Sequence, residues 1–80
     1  MAVLRLFAQA REAAGASHDV VDGATVDEVL AAAGARYGDA FAALLPTCKV
    51  WVNGEPATGG ATVGADDEVA VLPPVSGGSA

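Results

Sequence analysis

Few residues of this 80-residue chain are of types that do chemistry. His18 is the only histidine and Cys48 the only cysteine. No Ser/His/Asp or Cys/His pairing therefore has support, and neither an internal disulfide nor a multi-cysteine metal site is available. Cys48 precedes a strand-like run with only Lys49 as a charged neighbour, which reads as a packed thiol rather than an activated one. His18 reads as an exposed side chain on a poor strand. Asp66, Asp67 and Glu68 are adjacent acids at a turn. A calcium loop needs more oxygens at set spacings, so these read as a solvated approach to a strand. Gly54, Gly59, Gly60 and Gly64 are followed by no lysine and open no helix, so they are not a phosphate loop, and the chain is expected to bind no ATP and no other cofactor itself.

The stretch that does imply chemistry is Glu68 to Ala80. Val69, Ala70, Val71 and Leu72 form an apolar run of strand length. Pro73-Pro74 stops any sheet, because proline has no N–H for a ladder and its φ is fixed. Val75-Ser76-Gly77-Gly78 is then almost bare backbone, and if extended it reaches roughly 13 Å. Glycine permits close approach because it has no Cβ. A strand, a stiff exit and a thin tip are suited to threading backbone into another protein.

The string Leu-Pro-Pro-Val-Ser-Gly-Gly, residues 72–78, resembles the C-terminus of the small subunit of molybdopterin synthase, a ubiquitin-like sulfur carrier of the MoaD/ThiS family. The likeness runs upstream through Asp66-Asp67-Glu68-Val69 and back to residues 4–12, Leu-Arg-Leu-Phe-Ala-Gln-Ala-Arg-Glu. It implies a β-grasp fold with the first and last strands parallel at the sheet centre. It also implies a thiocarboxylate on Gly78, formed after an ATP-dependent partner adenylates that carboxylate, and delivery of the sulfur to the synthase large subunit. Val75, Ser76 and Gly77 would be the threaded segment, where any side chain on either glycine would collide. One departure stands out: in the family the second glycine is the terminus, whereas here Ser79-Ala80 follow. Three fates fit: removal by a protease, a paralogue not thiocarboxylated, or an addition foreign to the natural chain. Other readings of the same tail are sulfur delivery to thiamine or cysteine synthesis, and a ubiquitin-like modifier or binding module joined to targets through Gly78.

The elements that must position this tail are short. Ala2–Ala8 reads as a strand with Leu4, Leu6 and Ala8 on one face and Val3, Arg5 and Phe7 on the other. Residues 9–16 read as a loop with at most a turn of helix at 11–14, and Ser17–Val21 as a second strand. Thr25-Val26-Asp27-Glu28 is a capping box that opens a helix with Val26, Val29, Leu30, Ala33 and Tyr37 in one stripe and Gly38 as its stop. Asp39–Leu45 reads as a second short helix with Phe41, Leu44 and Leu45 inward, ended by Pro46. Lys49–Asn53 is a strand with Val50 and Val52 inward, Asn53-Gly54 a turn, and 55–57 a brief return. The expectation is an α+β, β-grasp domain over residues 1–74, with one main helix and a short second one, and a flexible tail over 75–80. Alternation puts Phe7, Trp51 and Leu72 on the open face, where with Pro73 and Pro74 they would form a partner interface. Arg11 would lie beside the tail in the family's layout.

Composition bounds the partners. Eighty residues make one domain with a modest, alanine-thinned core. A net charge of −6 argues against nucleic acid and is compatible with a basic protein partner. No apolar run is long enough for a membrane span, and Met1–Phe7 lacks the basic lead-in and apolar length of a secretory signal, so a cytoplasmic protein is expected.

Overall fold

The computed structural model describes residues 2–74. Within them the chain runs β1 (Ala2–Leu6), α1 (Ala8–Ala14), β2 (His18–Val21), α2 (Val26–Tyr37), α3 (Asp39–Leu44), a 3-10 turn (Leu45–Thr47), β3 (Lys49–Val52), β4 (Glu55–Pro56) and β5 (Glu68–Leu72). One five-stranded sheet has the order β2-β1-β5-β3-β4. β1 and β5 are parallel, with Leu4 beside Val69 and Leu6 beside Val71, and the other pairs are antiparallel. A parallel pair cannot be closed by a hairpin, so the intervening chain crosses over one face and covers it with helices. This is the mixed-sheet β-grasp arrangement.

Period-two alternation decides which face is covered. Ala2, Leu4 and Leu6 of β1 and Val69 and Val71 of β5 are buried, with Val50 and Val52 packed against them. α2 presents Val26, Val29 and Ala33 to this core, and Leu30 and Tyr37 flank it. Its capping box forms: the Glu28 N–H donates to Thr25 Oγ1 at 3.2 Å, and the Ala24 N–H donates to the Glu28 carboxylate at 2.9 Å. The reach-back lands one residue ahead of the cap. Gly38, at φ 99°, turns the chain out of α2, a conformation costly for any residue with a Cβ. α3 then buries Phe41, whose ring meets Tyr37 edge-on at 5.1 Å.

Three expectations need correction. Residues 9–16 are not mainly loop: Ala8–Ala14 is a two-turn helix that buries Ala10, so there are three α-helices among the described residues rather than two. Its sequence, Ala-Gln-Ala-Arg-Glu-Ala-Ala, is rich in strong helix formers, and that propensity wins once Ala10 has a core to pack against. β1 accordingly stops at Leu6, and Ala8 begins the helix at φ 51° instead of extending the inward face. Pro46 does not end the second helix but sits inside the 3-10 turn that prolongs it, where a missing N–H is tolerated. Among the described residues no helix is long and apolar enough to cross a membrane.

Candidate functional site

β5 is the strand from which the tail departs, and it is held on both sides. Its neighbours place side chains on the uncovered face in rows: Arg5, Ala70 and Trp51 in one, Lys49 beside Leu72 in the next. Ala70 is small, so little of its own bulk stands between the two long neighbours. Trp51 is 36% exposed and Phe7 40%. Phe7 keeps extended geometry (φ −127°, ψ 152°) as it caps α1, so it continues the alternation of β1 on the Arg5 side. Because β1 and β5 run side by side through Leu6 and Val71, Phe7 and Leu72 follow at the same end of the sheet.

The tail's root lies in a shallow cleft of ≈ 440 Å³ lined by Thr47, Lys49, Trp51, Leu72, Pro73 and Pro74. Pro73 is buried, Leu72 half-buried and Pro74 exposed. Burying Pro73 fixes the course of the chain as far as Pro74. Of the proposed interface, Phe7, Trp51 and Pro74 therefore face solvent, whereas Pro73 is packed within the chain. Val75, Ser76, Gly77 and Gly78, with Ser79-Ala80, lie outside the described residues. Arg11 is exposed on α1, which packs beside β5 and α3.

Electrostatics on the open face are mild. Arg5 and Glu68 approach to 3.4 Å with both side chains about half exposed, a pair worth at most about 1 kcal/mol. The other sequence candidates are structural. Burial pushes the Cys48 thiol up from its ordinary value, and its Sγ donates to the Leu44 carbonyl at 3.2 Å, so it is not an activated nucleophile. His18 is exposed, with Nδ1 3.5 Å from Ser17 Oγ. Asp67 accepts from Asn53 Nδ2 at 2.9 Å and from the Gly64 N–H at 2.7 Å. The Asn53 bond first, then Gly64, holds its carboxyl below the ordinary range. Asn53 Oδ1 in turn accepts the Glu68 N–H at 2.9 Å. This pair of side chains pins the Asn53-Gly54 turn (φ 52° and 84°, a type I′ hairpin) to the start of β5. Among the described residues no group of three His, Cys, Asp or Glu is placed to hold a metal.

Two features escaped the sequence reading. Val20 is 45% exposed on the same open face, opposite Val3. Alternation alone would have found it, since Val21 points inward. The second is a cluster that no spacing announces: Arg36 Nη1 donates to Asp19 Oδ2 at 2.7 Å, and the Tyr37 hydroxyl donates to the same oxygen. The Tyr37 bond first, then Arg36 and the Val20 N–H, lowers the Asp19 carboxyl to about 2. Burial and that bond push Tyr37 up to about 12.

Comparison with known proteins agrees with this architecture. The model of the ThiS family matches residues 4–78. The chain is similar to SAMP1 of Haloferax volcanii, with 35% identity, a TM-score of 0.81, and coverage of 96% of this chain and 98% of that one. It is similar to small archaeal modifier protein 1 of Methanosarcina acetivorans, with 26% identity, a TM-score of 0.87, and coverage of 96% and 95%. The Amycolatopsis orientalis BexX/CysO complex contains a chain matched at 25% identity and a TM-score of 0.81, over 98% of this chain and 100% of that one. No curated protein matches.

Proposed function

The chain belongs to the ThiS family, one of small ubiquitin-like sulfur carriers and modifiers, and from that premise we propose that it carries sulfur as the small subunit of a molybdopterin synthase. The observation that carries this reading is the tail's root. A strand clamped between two neighbours leads to a buried Pro73 and an exposed Pro74 near an exposed tryptophan and phenylalanine, and in the sequence Val-Ser-Gly-Gly follows. A rigid body, a directed exit and an aromatic docking face are what a carrier needs to present backbone to several partners in turn.

In this reading a protease adds water across the Gly78–Ser79 peptide bond, releasing Ser-Ala and leaving the Gly78 carboxylate. On the activating partner a carboxylate oxygen attacks the α-phosphorus of ATP, and pyrophosphate leaves. Hydrosulfide then adds to the acyl carbon, AMP leaves, the S–H proton is lost, and Gly78 ends as a thiocarboxylate. The large subunit takes that sulfur to build the dithiolene of molybdopterin from a cyclic pyranopterin precursor. No side chain of this chain is asked to move a proton, so the chain is a carrier subunit rather than an enzyme in its own right. The setting is the cytoplasm, where ATP and the partners meet.

Intact mass spectrometry of the chain from its native host is the test. The expected mass lacks Ser79 and Ala80 and has one oxygen replaced by sulfur. A full-length, unmodified chain after incubation with activating enzyme, ATP and sulfur source counts against the proposal. The 35% identity to a small archaeal modifier protein favours a second reading, attachment of Gly78 to lysines of other proteins. Isopeptide-linked conjugates in the host would select it; co-purification of a synthase large subunit would select the first.

A further inference from the structure

At Val20 the outer edge of β2 is closed by side chains. In the β1–β2 ladder Val3 lies opposite Val20. The Val3 N–H donates instead to the Asp67 carbonyl, on the β5 side, at 2.9 Å. Val3 and Val20 are thus a non-hydrogen-bonded pair, and the Val20 N–H and C=O point away from the sheet. Both are occupied. The Val20 N–H donates to Asp19 Oδ1 at 2.8 Å, and Arg36 Nη1 donates to the Val20 carbonyl at 3.1 Å. The same guanidinium group holds Asp19 Oδ2, which also accepts from Tyr37. At the opposite edge β4 has two residues, one of them Pro56, and so offers little to pair with. β2 is the longer edge, and its exposed Val20 adds an apolar contact.

We propose that Asp19 and Arg36 keep the β2 edge from pairing with a second copy of this chain. A second copy is the natural occupant, because two β2 strands run antiparallel about Val20 would exchange the N–H and C=O of the two Val20 residues around a two-fold axis, a self-complementary contact. Such pairing would join two sheets edge to edge. The inference is independent of what the tail carries.

The test removes the two side chains together, as Asp19→Ala with Arg36→Met, the latter keeping the alkyl stem. Sedimentation velocity over a concentration series and amide exchange at Val20 are the readouts. The variant is expected to form a species of twice the monomer mass. Its Val20 amide should exchange at least ten-fold more slowly as concentration rises, while the unmodified chain shows no concentration dependence there. Adding Val20→Pro should restore the monomer, since this N–H takes no part in the β1 ladder. A folded double variant that stays monomeric overturns the proposal, as does a dimer that survives Val20→Pro. Should the double variant fail to fold by circular dichroism, Arg36→Met alone leaves Asp19 on Tyr37 and bares only the carbonyl. Weaker association through Val20 then supports the proposal, and a folded monomer overturns it.

Discussion

Asp19 is the side chain whose ionisation most directly ties a helix to the sheet. It accepts from Tyr37, from Arg36 and from the Val20 N–H, so the end of α2 and the edge strand meet on one carboxylate. Its folded pKa of about 2 lies below the ordinary 3.8. The folded state therefore favours the ionised form. That stabilisation is complete above pH 4 or so and fades as pH falls through the folded value near 2. With Asp19 30% and Arg36 47% exposed, solvent screening keeps the contribution small. Urea unfolding as a function of pH should show a shallower loss of stability between pH 4 and 2 for Asp19→Asn than for the unmodified chain. Equal slopes would mean that the carboxylate contributes nothing. Tyr37 gives the opposite sign. Its value is raised to about 12 from 10.0, so its contribution is intact below pH 10 and disappears as pH climbs through 12. Tyr37→Phe should remove that alkaline dependence.

At the scale of elements, the helix α2 and the loop before it show how closely backbone can approach. A Cβ on Gly23 would sit 2.7 Å from the Val29 backbone nitrogen and 2.8 Å from its Cγ2. Neither atom is the free end of a flexible chain, so α2 would have to shift. Gly23→Ala should cost about 1–3 kcal/mol, as overpacking does, and lower the thermal midpoint by several degrees in a domain of this size. Gly60→Ala, with open space around its Cβ, is the control and should be close to neutral. A Gly23→Ala protein as stable as that control would refute the steric reading. These elements were legible to different degrees for physical reasons. Strands β1, β3 and β5 and helix α2 could be read because their burial is one-sided, and Leu4/Leu6, Val50/Val52, Val69/Val71 and Val26/Val29/Ala33 print that on the residue pattern. Thr25, Gly38 and Asn53-Gly54 mark ends and turns by local backbone chemistry, which a sequence also carries. In the sequence α1 reads as no more than a turn because Ala10 is its one buried residue and a lone alanine leaves a weak hydrophobic signature. The Asp19–Arg36–Tyr37 cluster joins residues 17 and 18 positions apart, and only the folded chain brings them together. The placement of Phe7, Trp51 and Leu72 on the open face follows from alternation, but the burial of Pro73 depends on how the chain turns after β5 and has no local signal.

Over the whole molecule, one face of the sheet is covered and the other is open, so under the proposed docking role stability and binding are separable. The covered face holds the core, whose largest buried side chain is Phe41. The open face holds Trp51, whose neighbours across the sheet are Pro56 on one side and Ala70, with Arg5 beyond it, on the other. Trp51 already has 36% of its surface in water, so Trp51→Ala removes little from the core and should leave the thermal midpoint within a few degrees. In a complex the same ring would be desolvated, and losing such an anchor typically costs 2 kcal/mol or more, about 30-fold in affinity. Val20 provides the internal comparison. It lies on the same face but in β2, three places along the strand order from Trp51, whereas the tail leaves from β5, next to β3. If the partner's footprint is centred on the tail's root, Val20→Ser should weaken binding less than three-fold while Trp51→Ala weakens it about 30-fold or more. Titration calorimetry against a synthase large subunit measures both. Comparable losses would place the footprint across the whole sheet. No loss from Trp51→Ala in a folded protein would remove the aromatic face from the interface and leave the tail alone to make the contact.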